Sequence, residues 1–409
     1  MIELIIKRVK YIQDLHELLE SDFVKVFIGM RRTGKTYLML SFIEEFKEMG
    51  VPEENIIYIS LESPKYYDIK NYKQLDEIIY SKTKDLSGKI YILIDEIQQV
   101  DKWEKSINGY RVSLDCDIYI TGSNSKLLST ELSTLLAGRY IEIPVYPFSF
   151  KEILKFHEEN GVELNYENEK QYFEEYLQFG GMPGLLDLTV GDKKEKALKD
   201  IYNSIIMEDI LSRHAIKKID LFKRFIRYLI NSTGQTFSKK SIIKYLKNEN
   251  YKIDYETLNN YTEYLQEALF VNRVRREDLI GKKELKTEDK YYVTDHGFHQ
   301  ALIDENNKWI PRILETIVYI ELLRRDYNIK IGKVGTKEVD FVCTKRNKKL
   351  YIQVSYILAD EKTLKREINP LLDIRDNYEK YILSMDEFDF SREGIKHMNI
   401  IQFLKDDTL

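Results

Sequence analysis

Gly29-Met30-Arg31-Arg32-Thr33-Gly34-Lys35-Thr36 follows an apolar run at Lys25–Ile28 and leads into the apolar stretch Tyr37–Phe46. The octad matches G-x-x-x-x-G-K-[ST] at every fixed position. A strand before it and a helix after it are the context that pattern requires. Gly29 and Gly34 let the backbone fold tightly, so that successive N–H groups point at phosphate oxygens. The following helix adds its positive N-terminal end. Lys35 is expected to reach the β- and γ-phosphates of a nucleotide and Thr36 to hold Mg2+. Arg31, Arg32, Thr33 and Tyr37 complete the expected nucleotide-binding loop.

Lys89–Glu96 supports this reading independently, as an apolar strand that ends in Asp95 and Glu96. At the carboxyl end of a parallel strand Asp95 would face the Mg2+ beside Thr36. Glu96 would orient or deprotonate the attacking water. A fourth run, Ile118–Gly122, is followed by Ser123 and Asn124. Asn124 could contact the γ-phosphate or the water, or could cap a helix over Ser125–Leu136. Arg139 precedes a fifth run, Tyr140–Ile143. Its guanidinium could stabilise the phosphoryl transition state of a neighbouring subunit in a homo-oligomer, or could be a solvated surface arginine.

Around these motifs, short Ile-, Val- and Tyr-rich runs alternate with longer stretches up to Pro144 and Pro147. That is the pattern of a parallel sheet covered by helices. The chain has 409 residues, which at ~100–200 residues per domain predicts two to four domains. Eighteen Phe and 30 Tyr exclude disorder as the main state. No apolar run approaches the ~20 residues that span a bilayer. Met1–Leu19 carries Glu3, Lys7, Arg8 and Lys10 among its apolar residues and is not expected to be a signal peptide. Only Cys116 and Cys343 are present, far apart, so a reducing cytoplasm is the expected compartment.

The phosphate loop, the Asp95-Glu96 strand end, the polar residue after the fourth strand and the arginine before the fifth together resemble the AAA-type ATPases. No Asn-Lys-x-Asp sequence is present to read guanine, so ATP is the expected nucleotide. Several further segments are similar to one archaea-rich prokaryotic subfamily of these proteins. They are Arg31-Arg32, Val100-Asp101-Lys102-Trp103-Glu104, Leu136–Arg139, Pro147–Glu152, Gly180-Gly181-Met182-Pro183-Gly184 and Met207–Arg213. The resemblance implies an α/β P-loop NTPase core with a parallel five-stranded sheet over 1–148 and a helical lid over 149–219. A winged helix over 220–304 and a small nuclease-like α/β domain over 305–409 would follow. Arg213 could sense nucleotide from the lid or form an ordinary i,i+4 pair with Asp209.

The winged-helix reading places helices at Leu221–Asn231, Lys239–Asn248 and Tyr255–Leu269, and strands at Phe270–Arg275 and Lys290–Thr294. A groove-reading third helix is a poor match, because Glu256, Glu263 and Glu267 are its only charges and would repel phosphates. Bases gather instead at 239–247 and 273–283. Residues 217–300 hold 17 basic against 12 acidic side chains, a local excess in a chain of net charge −5. DNA held through backbone contacts is one expected partner, and protein docking is the other.

Beyond Trp309 the order helix, strand ending in Asp, strand, helix resembles the PD-(D/E)XK nucleases. Glu315 and Asp340 stand where two of that family's carboxylates would be, but Gln353-Val354-Ser355 replaces its E-x-K triplet. Glu315, Asp340 and Gln353 are the candidate second metal site, and cleavage activity is expected to be lost. Strand-like runs follow at Tyr381–Ser384 and Ile400–Phe403. The combined expectation is a DNA-associated ATPase. An ATP-gated interaction protein and an ATP-dependent metal-requiring nuclease are the alternatives.

Overall fold

The computed structural model of the chain describes residues 7–125, 136, 138–281, 283–303, 309–358 and 360–406, without the side chains of 286–288. Two compact units are formed. The first comprises Met1–Val145 with Glu267–Leu269, and the second Tyr146–Gln266 with Phe270–Leu409.

The first unit runs α1 (Val9–Leu18), β1 (Val24–Ile28), α2 (Lys35–Glu48), β2 (Ile56–Ser60), α3 (Tyr72–Thr83), β3 (Ile90–Asp95), α4 (Trp103–Ser113), β4 (Cys116–Gly122) and β5 (Tyr140–Pro144). Its strands form one parallel sheet in the order β2-β3-β4-β1-β5. Every residue of β1 and β3 is buried, as expected for parallel strands covered on both faces. Alternation along the strands divides the core into two layers. Ile92 and Ile94 pack with Ile57, Ile107 and Tyr110 on one face. Tyr91 and Leu93 pack with Phe42, Phe46 and Tyr119 on the other. This is the α/β parallel sheet read from the sequence. The helix expected over Ser125–Leu136 falls largely outside the described residues.

The second unit opens with α5 (Phe150–Glu159), α6 (Tyr166–Phe179) and α7 (Gly191–Ser204), which runs on into a π-helical segment, Ile205–Leu211. Then come α8 (Ile219–Asn231), α9 (Lys239–Asn248), α10 (Tyr255–Glu267), β6 (Val271–Asp278), β7 (Lys283–Val293), α11 (Gly297–Leu302) and α12 (Ile310–Arg324). The chain closes with β8 (Asn328–Val334), β9 (Lys337–Lys345), β10 (Lys348–Val354), α13 (Glu361–Leu372), β11 (Glu379–Ser384), β12 (Ile395–Asn399) and α14 (Ile400–Lys405). One seven-stranded sheet, in the order β12-β11-β10-β9-β8-β6-β7, spans the C-terminal half. The link is parallel pairing of β6 with β8 through Arg276–Ile331, Glu277–Gly332 and Asp278–Lys333. A boundary at residue 304 therefore runs between strands of a single sheet.

Ile400–Phe403 is helix rather than strand. The Asn399 side chain accepts from the N–H groups of Ile401 and Gln402 and starts α14. Ile400, Phe403 and Leu404 then bury one face at i, i+3, i+4 spacing. The Gly180-Gly181 pair has a packing cause. A Cβ on Gly180 would lie 1.9 Å from the Asp295 carboxylate, and one on Gly181 would lie 2.1 Å from the Phe148 carbonyl oxygen. Asp295 Oδ2 accepts from the Gly181 N–H at 2.9 Å. The neighbouring His296 Nε2 lies 2.6 Å from the Tyr176 carbonyl oxygen.

Candidate functional site

The carboxyl ends of β1, β3 and β4 lie side by side, so the segments that follow them converge at one edge of the sheet. Gly29 opens the loop after β1, and its N–H donates to Gly122 at 3.2 Å. A Cβ there would fall 2.2 Å from the Val145 carbonyl oxygen, so the position admits only glycine. Arg32 and Gly34 both adopt positive φ, 70° and 92°, which turns the loop back over the start of α2. Buried Thr33 ties the turn by donating to Met30 O at 2.9 Å.

Lys35 Nζ donates to the carbonyls of Gly29 at 3.0 Å and Met30 at 3.2 Å, and stands 3.5 Å from Glu96 Oε1. Thr36 Oγ1 donates to Asp95 Oδ2 at 2.7 Å. The two residues expected to hold Mg2+ are thus in contact, and both offer the oxygen ligands that hard cations take. Arg31 reaches Glu62 at 3.3 Å, and Tyr37 is exposed. Burial pushes the Asp95 carboxyl up from its ordinary value, against the opposing hydroxyls of Thr121 and Thr36. Burial also pushes Glu96 up, but the Lys35 charge and the Gln98 amide outweigh it and hold that carboxyl below its usual range. Glu96 is in the left-handed region at φ 57°, ψ 48°, a conformation that costs a non-glycine residue ~1–3 kcal/mol and clusters at active sites.

Three contributors carry no motif signal. Thr121 Oγ1 donates to Asp95 Oδ1 at 2.5 Å and accepts from the Glu96 N–H at 2.9 Å, fixing both acidic residues from β4. Gln98 donates its amide hydrogens to the Glu96 carboxylate and to Ser123 Oγ. Buried Arg8, just before α1, donates to the Thr33 carbonyl at 3.2 Å and lies over the Tyr11 ring. The Thr121 and Arg8 contacts span 25 to 26 residues of sequence, while Gln98 sits two residues from Glu96 and reaches Ser123 25 residues on. Asn124 is buried beyond the end of β4, where it was expected. Arg139 is exposed at the opposite end of the sheet, its carbonyl accepting from Val24, the first residue of β1. Five residues of strand, ~3.3 Å each, separate it from the phosphate loop of its own chain. Arg213 lies 3.4 Å from Asp209, the i,i+4 pair weighed for it.

The C-terminal carboxylates are arranged differently. Lys290, on β7, places Nζ 2.9 Å from Glu315, 2.7 Å from Glu338 and 4.0 Å from Asp340. Arg276 adds a second cation, 2.9 Å from Glu338, and Tyr292 donates to Glu315 at 2.6 Å. Asp340 accepts from the Val354 N–H at 2.8 Å; burial and neighbouring Glu315 raise its carboxyl well above the ordinary range. Gln353 accepts from the Asp340 N–H and donates to Glu367. The ammonium occupies the place between the carboxylates. Among the described residues no group of three or more His, Cys, Asp or Glu is arranged to hold a metal ion. Glu315, Asp340 and Gln353 therefore do not fit a divalent cation while Lys290 is in place.

Among the described residues no helix is long and apolar enough to cross a membrane. Residues 21–154 match the AAA domain family, and residues 170–308 match a domain of unknown function. An uncharacterized protein of Haemophilus influenzae is 36% identical over 405 residues, covering 99% of this chain and 100% of that one. A second, of Methanocaldococcus jannaschii, is 33% identical over 403 residues, covering 95% of this chain and 88% of that one. The solved Walker-type ATPase of Pyrococcus abyssi shares the fold, with a TM-score of 0.51 at 18% identity over 73% of this chain and 95% of that one.

Proposed function

We propose that this chain, which belongs to the AAA-domain family of its Haemophilus influenzae and Methanocaldococcus jannaschii relatives, binds ATP with Mg2+ and hydrolyses it. The observation that carries the reading is the contact of Thr36 with Asp95 at 2.7 Å, with Lys35 and Glu96 beside it. Lys35 exchanges the carbonyls of Gly29 and Met30 for phosphate oxygens. Thr36 and Asp95 would hold Mg2+, which when bound neutralises charge on the transferring phosphoryl group. Glu96 orients the water and accepts its proton, and its lowered carboxyl is ionised and ready to do so. Asn124 contacts the γ-phosphate side. Arg139 acts on the site of another copy, which its distance from its own phosphate loop favours.

The test is phosphate release by native protein and by Lys35→Ala. Hydrolysis lost in the variant is expected; undiminished hydrolysis overturns the assignment.

A second reading, DNA held by backbone contacts, is favoured at α9 rather than at the hairpin. Lys240, Lys244 and Lys247 fall at i, i+4, i+7, and they and Lys239 are exposed without an acidic partner among the described residues. Arg273, Arg275 and Arg276 are instead paired with Asp289, Glu284 and Glu338. Lys282 lies outside the described residues.

A further inference from the structure

We infer that Gln98 is the positioning residue of the catalytic base, holding the Glu96 carboxylate through its amide and tying it to the end of β4. The inference rests on the ATP-hydrolysis reading and deepens it.

Glu96 is fixed at both ends. Thr121 takes its N–H, and Gln98 Nε2 donates to its carboxylate. The same nitrogen donates to Ser123 Oγ at 3.2 Å, so one side chain spans the tails of β3 and β4. The amide orientation is dictated by chemistry. An ionised carboxylate only accepts hydrogen bonds, so the NH2 group must face it. That leaves Gln98 Oε1 buried, accepting no hydrogen bond among the described residues. The short helical turn Ile97–Gln99, entered through the left-handed Glu96, brings Gln98 back over the residue two positions before it.

A neutral donor suits this task. A lysine or arginine would add a full ion pair beside Lys35 and lower the basicity of Glu96 further. A side chain without a donor would leave the carboxylate to Lys35 and the Ser123 hydroxyl. When Lys35 turns to phosphate, Gln98 keeps Glu96 aimed together with Ser123, which it also holds.

The test uses full-length protein and three sequences: native, Gln98→Ala and the near-isosteric Gln98→Glu. Turnover of MgATP is measured across pH, with kcat and KM separated. Donation to the charged form lowers a carboxyl pKa, so loss of the amide must raise it, and a second carboxylate must raise it more. The acid limb of kcat is therefore expected to move to higher pH in the order native, alanine, glutamate. At neutral pH kcat in the alanine variant falls about 10- to 100-fold, with KM within about threefold. A side chain that only supports the fold would lower turnover without moving the limb.

If the native protein turns ATP over and both variants keep its pH profile, this inference fails while the ATPase reading stands. If the native protein shows no turnover, the ATPase reading fails and this inference, which rests on it, falls with it.

Discussion

Lys35 and Lys290 are equally buried, each side chain 4% exposed, and each faces carboxylates, yet they are held in opposite ways. Lys35 rests mainly on two backbone carbonyls, with one carboxylate at 3.5 Å. Lys290 is answered by two carboxylates below 3 Å and a third at 4.0 Å. The aspartates differ in the same sense. Asp95 is satisfied by the hydroxyls of Thr36 and Thr121, which can rotate and share their site with a cation. Asp340 faces a fixed ammonium and a strand N–H. The first arrangement can exchange its partners for a ligand's. The second is already complete, and opening it leaves charges stranded.

The largest expected effect separates the two lysines by stability. Removing one partner from a buried pair costs about 3–5 kcal/mol, so Lys290→Ala should melt far below native protein. Lys35→Ala should melt close to native and instead lose about 10²–10³-fold in turnover. Equal melting of native and Lys290→Ala protein would dissolve the contrast. Next, Thr121→Val removes the hydroxyl that sets Asp95 and Glu96 and should slow turnover about 10- to 100-fold in a phosphate-release assay.

A smaller effect sharpens the C-terminal side. The Asp340 carboxyl, raised by burial and Glu315, keeps its proton in the folded chain where the unfolded chain releases it near the usual pKa of about 4. This contribution to stability is full below that pH and is lost as pH rises through the folded value. Asp340→Asn removes the dependence, so in urea unfolding the variant should gain on native protein between pH 4 and pH 7. Loss of that trend would mean the carboxyl is ionised beside the Lys290 ammonium. The smallest effect extends the rule to the surface. Replacing Lys240, Lys244 or Lys247 with alanine should lower the salt slope of DNA affinity by about one unit each, while Arg275→Ala, already paired with Glu284, should not change it.

Much of the first unit is legible in the sequence because its chemistry is local. Eight consecutive residues make the phosphate loop, and an apolar run ending in two acids makes β3. Thr121 and Arg8 leave no such trace, since their contacts join segments about 25 residues apart, and Gln98, though two residues from Glu96, belongs to no fixed position of the motif. The C-terminal half misleads for the same reason. Gln353 and Ser355 signal a lost triplet, but nothing near them announces that Lys290 will fill the cluster from a strand on the other side of α12. Ile400–Phe403 misleads for a different reason: three apolar residues around Gln402 do not distinguish a buried strand from one face of a short helix, and Asn399 decides it by capping.

The pairing of β6 with β8 also orders events during synthesis. The sheet of the first unit draws its strands from residues 24–144 and can close while the ribosome is still adding the rest. The hairpin over 271–293 cannot. Until 328–334 emerges, β6 presents an open edge of unpaired N–H and C=O groups, the template on which chains join one another. A product ended at residue 304 would keep that edge for good. Such a fragment should go to inclusion bodies in a larger share than the 409-residue chain.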